Sequence, residues 1–143
     1  MVIFGSWRYA TLVDASKALP FKPKLPLHVG SSKLEYLLTS PGRDSGHPGR
    51  EFFTAYYSGG GVQLIEWQET QPWADAPGPG QYVVNGTVRG LPASVTQTQR
   101  PYAGDAEPLY ADLMWVEDGV TYHLWVAGPP EAAVRIAESI PRQ

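Results

Sequence analysis

The clearest structural signal in this sequence is the pair Asp118-Gly119, which stands between two stretches of alternating apolar and polar residues. A type I′ hairpin turn needs positive φ angles at both central residues, and Gly adopts them without strain. The turn therefore predicts the register of the two strands, in which Trp115 pairs with Tyr122 and Leu113 with Leu124. These side chains share one face of the hairpin, so we expect that face to contact a hydrophobic core.

The opposite face of the same hairpin is mixed in character. It pairs Met114 with His123 and Asp112 with Trp125, which is typical of a face that solvent or a loop covers. A carboxylate beside an imidazole orients a general base in many enzymes, so a small hydrolase-like or metal-dependent enzyme that uses His123 and Asp112 is the alternative function. A satisfied cross-strand polar pair explains the same two residues without any catalysis.

Helical segments flank the predicted strands at both ends of the chain. Thr11 and Asp14 form a Thr-x-x-Asp arrangement, in which the hydroxyl caps a helix start. Pro129 and Pro130 end the last strand, and a second helix is predicted over residues 130–140. The apolar residues of this helix recur at helical spacing, so the helix is expected to pack on the sheet. They are Ala133, Ile136, Ala137 and Ile140.

The remaining strands are predicted from short apolar segments between turns that are rich in Gly and Pro. Asn85-Gly86 predicts a second type I′ turn, between short strands at 81–84 and 87–89. Strands do not alternate with helices along the chain, so we predict one α+β domain over residues 1–143, with an antiparallel sheet of about seven strands. The other predicted strands of this sheet are 32–39, 51–58, 62–70 and 93–99.

Composition excludes several classes of function. The chain has no cysteine, which rules out thiol catalysis, disulfide bonds and cysteine-ligated zinc. Its net charge is −3 and only 17% of its residues are charged, whereas a nucleic-acid-binding protein needs a basic surface. No apolar run approaches the roughly 18 residues that a membrane-spanning helix requires. We therefore expect no nucleic-acid partner and no membrane span in this chain.

Motifs for catalysis or cofactor binding are absent or weak. His28, His47 and His123 lie on separate segments without the spacing of metal ligands, so we predict no metal site. The Gly-rich turns precede strands rather than helices, which argues against a phosphate-binding loop, and we expect no cofactor. Paired carboxylates such as Glu66 and Glu69, or Asp112 and Glu117, have no glycosidase-like context and are expected to be solvated strand residues. We predict no catalytic residues.

A further set of segments carries a family resemblance. These segments are the helix at 12–19 with Pro20-Phe21 and Leu25-Pro26 after it, residues 84–91, the hairpin 113–124 and the terminal sequence 136–140. Over most of residues 11–140 the chain resembles a bacterial domain of unknown function, which forms the extracytoplasmic end of many Gram-positive membrane proteins. These proteins include anti-sigma-like and sporulation lipoprotein-like chains.

The resemblance implies a fold similar to that of the periplasmic lipoprotein carriers. In such a fold the antiparallel sheet is curved, and the N- and C-terminal helices pack on its concave face. The resemblance also implies export, an extracytoplasmic location at the cell surface or in the periplasm, and a longer, anchored precursor. It transfers no catalytic residue, so the function it implies is that of a non-enzymatic sensory or interaction domain.

The concave face of such a sheet is the predicted ligand-binding groove. Leu113, Trp115, Tyr122 and Leu124 would line this groove, and a lipid, a peptide or another envelope protein could occupy it. If the helices fill the groove instead, these four side chains belong to an ordinary core.

Overall fold

The computed structural model describes residues 7–30, 32–40, 51–57, 61–68, 84–98 and 110–141. Within these ranges the chain forms eight strands and two short helices. The strands are β1 (Trp7–Tyr9), β2 (Leu34–Ser40), β3 (Phe52–Tyr57), β4 (Val62–Gln68), β5 (Gly86–Val88), β6 (Leu91–Thr98), β7 (Tyr110–Glu117) and β8 (Val120–Ala127). The helices are α1 (Leu12–Ser16), which follows β1, and α2 (Pro130–Glu138), which follows β8.

The eight strands of the described ranges form one antiparallel sheet in the order β1-β2-β3-β4-β8-β7-β6-β5. The predicted sheet type is confirmed, and the described ranges hold eight strands where about seven were predicted. The predicted strand 81–84 lies almost entirely outside the described residues. The sequence did not predict β1, which precedes α1, so the first helix lies between two strands rather than before the sheet. The two central strands are β4 and β8, which pair along their whole length. Neither described helix is long and apolar enough to cross a membrane.

The terminal hairpin has the predicted register. Asp118 and Gly119 have φ angles of 53° and 76°, which are those of a type I′ turn. Trp115 pairs with Tyr122, and the pairing continues without a bulge to the ends of β7 and β8. The local chemistry of the turn is therefore sufficient to align the two strands on which the core is built.

The second type I′ turn lies further along the chain than the sequence predicts. Asn85-Gly86 does not form it, because the positive φ angles that join β5 to β6 are those of Arg89 (50°) and Gly90 (79°). The side chain of Asn85 bonds the backbone of Val95, donating to its carbonyl at 2.8 Å and accepting from its N–H at 2.7 Å. Gly86 lies so close to the same residue that a Cβ would be 2.9 Å from Cγ2. The glycine is needed for strand packing, and not for a turn.

Both helices contribute to one hydrophobic core on one face of the sheet. Thr11 caps α1 as predicted, since its Oγ1 accepts the backbone N–H of Asp14 at 3.1 Å, but the helix ends at Ser16 rather than at Leu19. The predicted C-terminal helix is confirmed as α2, and its buried side chains are those of two alanines, which let the helix backbone approach the sheet closely. Ile140, just beyond the helix, is also buried, whereas Ile136 is only half-buried.

Hydrogen bonds from Arg89 link the C-terminal end of α2 to the sheet. Its Nη1 donates to the carbonyl oxygens of Glu138 at 3.1 Å and Ile140 at 2.7 Å, and its Nη2 to Oε1 of Glu117 at 2.5 Å. The last carbonyls of a helix lack intrahelical partners and carry partial negative charge, so a guanidinium group stabilises them. The side chains of Arg89 and Glu117 are only 11% and 9% exposed. The prediction that Glu117 is solvated is therefore wrong, because this ion pair holds its carboxylate inside the fold.

We expect Ile140→Ala to lower the free energy of unfolding by about 2–5 kcal/mol, because a fully buried isoleucine leaves a cavity when it is truncated. Ile136→Ala is the matched control, and its cost should be clearly smaller because its side chain is already half-exposed. Urea titrations monitored by tryptophan fluorescence measure both values. Equal losses for the two variants would contradict the docking of the C-terminal end of α2 in the core.

We expect Arg89→Ala to lower the free energy of unfolding by about 3–5 kcal/mol, because it removes the ion-pair partner of the buried Glu117 carboxylate and the donor to the carbonyls of Glu138 and Ile140. Lys17→Ala is the control, since it breaks an exposed ion pair with Asp14 and should cost less than about 1 kcal/mol. The double variant Arg89→Ala, Glu117→Ala should lose less than the sum of the two single losses. Additive losses in urea titrations would show that the pair does not couple the turn to the helix.

Candidate functional site

The outer face of the terminal hairpin brings together the two residues of the enzymatic alternative. Met114 pairs with His123 and Asp112 with Trp125, as predicted, which makes the imidazole and the carboxylate diagonal neighbours. Nε2 of His123 lies 2.5 Å from Oδ1 of Asp112. The indole of Trp125 meets the imidazole edge-on, with ring centroids 5.2 Å apart. The two side chains are 12% and 21% exposed, so the pair is shielded but within reach of solvent.

This pair has the geometry of an imidazole oriented by a carboxylate. With Nε2 on the carboxylate, Nδ1 is the ring nitrogen left to exchange a proton with another group. Catalysis would need a nucleophile or a metal-bound water at that nitrogen. Among the described residues, no group of three His, Asp or Glu side chains could hold a metal ion. His28 lies elsewhere, on the segment that precedes β2, and His47 lies outside the described residues.

The four predicted groove residues lie in the core on the face that α2 covers. Leu113, Trp115 and Leu124 are fully buried, and Tyr122 is nearly so. The rings of Trp115 and Tyr122 stack with centroids 5.0 Å apart and an interplanar angle of 11°. All four belong to the same cluster as the buried alanines of α2. A ligand could reach these side chains only if the segments packed on this face moved away from the sheet.

An open cleft lies beside α2, where β4 begins and β8 ends. Its volume is about 680 Å³, which is within the range of roughly 300–1,000 Å³ that is usual for small-molecule sites. The apolar side chains that line the cleft are Val29, Val62, Val126, Ala127, Ala132 and Ile136. The polar side chains that line it are His28, Ser32, Arg135, Glu138 and Ser139.

Hydrogen bonds hold the outer wall of the cleft against the end of α2. The backbone N–H of His28 donates to Oγ of Ser139 at 3.1 Å, and that of Leu27 donates to the Ser139 carbonyl at 3.1 Å. The same hydroxyl donates to the carbonyl of Ile136 at 2.7 Å. Gly30 then turns the chain with a φ of 67°, a conformation that favours glycine. The cleft is therefore a gap between α2 and the segment before β2, which hydrogen bonds join at one end.

Glu66 is a second carboxylate that sequence reasoning places wrongly. The sequence predicts a solvated side chain, but Glu66 is fully buried on the core face of β4. Its Oε1 accepts the backbone N–H of Lys24 at 3.0 Å, and its Oε2 has no hydrogen-bond partner. Burial raises the pKa of Glu66 well above its usual range, and the hydrogen bond and charge of Lys24 oppose this only in part. Burial, aided by the nearby Glu66, also raises the pKa of Tyr57 to about 12.

We expect Glu66→Gln to become more stable relative to the wild type as the pH rises. Because the pKa of Glu66 is raised in the folded state, its contribution is complete below the unfolded-state pKa of about 4.3 and is lost as the pH rises towards the folded-state value. Glutamine does not ionise, so the difference in free energy of unfolding should grow by up to about 1.4 kcal/mol per pH unit within that window. Urea titrations from about pH 4 to pH 8 measure this difference.

The control for this prediction is Glu35→Gln, which removes an exposed carboxylate from β2. Its stability should follow that of the wild type across the same pH range. A difference between Glu66→Gln and the wild type that stays constant with pH would contradict the raised pKa of Glu66.

Comparison with known proteins does not assign a function to these residues. No family model, no curated protein and no solved structure matches the chain. Two features of the described residues are suited to a functional site. They are the His123–Asp112 pair on the outer face of the sheet and the cleft beside α2.

Proposed function

We propose that the protein is a non-enzymatic extracytoplasmic domain of a bacterial envelope protein, with a sensory or interaction role, and that it binds a small ligand in the cleft beside α2. The observation that carries the proposal is the contrast between two apolar surfaces. The centre of the core face is fully buried, whereas the cleft at the edge of α2 is open and is lined in part by Val62 and Val126. An open concave site with an apolar base and a few polar groups is the usual form of a ligand site.

The resemblance to extracytoplasmic domains of Gram-positive membrane proteins supports the proposed location and the longer, anchored precursor. We also propose that the sheet is of the curved, lipoprotein-carrier-like type, with both helices on the concave side. Ala15 of α1 and Ala137 of α2 belong to one core cluster, which supports this arrangement. In this fold the ligand enters beside the C-terminal helix rather than beneath it.

The enzymatic alternative rests on the short contact between His123 and Asp112. In that case the outer face of the sheet, and not the cleft, would bind the substrate. The two functions therefore predict ligand contacts on opposite faces of the same hairpin. This difference makes them separable by one titration.

The test is an NMR titration of the isotopically labelled protein with decanol, a neutral apolar probe. We expect shifts of the amide signals of Val29, Val126 and Ile136, with the signal of His123 unchanged. Ala132→Phe places a large side chain in the cleft and should weaken binding by about tenfold or more. Ala10→Phe, at an exposed position before α1, is the matched control and should bind like the wild type.

Two results would contradict the proposed function. One is the absence of any shift around the cleft. The other is turnover in a hydrolase substrate panel that His123→Ala abolishes, because such activity would assign the function to the outer face. Native mass spectrometry of protein purified from its own host, with wild type and Ala132→Phe compared, then identifies the natural ligand by mass.

A further inference from the structure

We propose that the cleft beside α2 selects amphipathic carboxylates, and that Arg135 is the residue that binds the carboxylate. The inference rests on the proposed function, because it names the class of ligand for the same cleft. It follows from the balance of charge and hydrogen bonding among the side chains that line the cleft.

Two oppositely charged side chains of α2 line the cleft, but only one of them is engaged by the protein. Oε2 of Glu138 accepts the backbone N–H of Arg89 at 2.9 Å, which turns this carboxylate towards the β5–β6 turn. Arg135 lies one helical turn earlier, and within the described ranges its guanidinium group has no hydrogen bond and no ion pair. The cleft therefore presents a cation whose donors are available to a ligand.

Apart from Glu138, whose Oε2 is bonded to the β5–β6 turn, the neighbouring polar groups can supply hydrogen-bond donors. The hydroxyl of Ser139 is occupied by the carbonyl of Ile136 and the N–H of His28. The imidazole of His28 and the hydroxyl of Ser32 face the same space and can donate to an anion. An anionic head group is thus complementary to the polar side of the cleft.

The apolar side of the cleft defines the rest of the ligand. Val62, Val126 and Ile136 offer surface that an alkyl or aliphatic body covers favourably, by the hydrophobic effect. A guanidinium group binds a carboxylate through two parallel hydrogen bonds, which fixes the head group while the body lies against the valines. One carboxylate on one apolar body satisfies both sides. A fatty acid and a peptide with an apolar C-terminal residue share this chemistry.

The test measures dissociation constants by NMR titration for matched probes, each below its micelle concentration. Decanoate, decanol and decyltrimethylammonium share an alkyl body and differ in head-group charge. An N-acetylated leucine dipeptide and its amide form the corresponding peptide pair. We expect the wild type to prefer the carboxylate within at least one of these sets, and the set that shows the preference identifies the source of the ligand.

The decisive variant is Arg135→Gln. It should weaken binding of the preferred carboxylate by about tenfold or more and leave decanol binding unchanged, because only the charged hydrogen bonds are lost. Arg135→Lys keeps the charge but not the two parallel hydrogen bonds. Its affinity for the carboxylate should therefore lie between that of the wild type and that of Arg135→Gln. Lys17→Gln removes one positive charge from a site outside the cleft and should bind all probes like the wild type.

The outcomes separate this inference from the function on which it rests. Equal affinity of the wild type for a carboxylate and its neutral counterpart in both sets, or an equal loss of carboxylate and decanol binding in Arg135→Gln, would overturn the carboxylate selectivity and leave a binding cleft. Failure of every probe to shift the signals of the cleft would overturn the proposed function itself. A carboxylate preference that Arg135→Gln alone abolishes confirms the inference.

Discussion

The guanidinium group of Arg89 links the C-terminal end of α2 to the sheet, and the position of this helix shapes both the core and the cleft. It bonds two carbonyls at the C-terminal end of the helix and the carboxylate of Glu117 next to the β7–β8 turn. The contact joins a hairpin turn, a helix end and a central hairpin, so each of these restrains the others. The buried alanines of this helix belong to the same core cluster as Trp115 and Leu124, and the open cleft lies at the edge of the helix.

Local chemistry explains which parts of the fold could be predicted from the sequence. The Asp118-Gly119 turn aligns β7 and β8 through its own φ angles, and Pro130 begins α2 without help from distant residues. Asn85-Gly86 has the same local signature as a turn, but the close approach of Val95 decides its conformation. Glu66 was misplaced for a similar reason, because the segment that buries it is distant in sequence.

The candidate sites also differ in whether local sequence or distant segments determine them. His123 and Asp112 could be predicted as neighbours because one turn sets their register. The cleft could not be predicted, since its walls come from the segment before β2, the start of β4, the end of β8 and α2. The one available signal was Ile136, an apolar helix position that the sheet does not fully cover. The predicted groove residues lie beneath α2, so whether that face binds a ligand depends on how firmly the helix is docked.

Native-state hydrogen exchange of the α2 amides tests the docking of this helix most directly. If α2 is part of the core, the amides of Ala137 and Ile140 should exchange with the same free energy of opening as those of Leu113 and Leu124, because all of them open only when the whole fold unfolds. Exchange of the α2 amides at a free energy several kcal/mol lower, with β7 and β8 still protected, would show that the helix detaches on its own. The face beneath the helix would then be an accessible groove, which contradicts its assignment to the core.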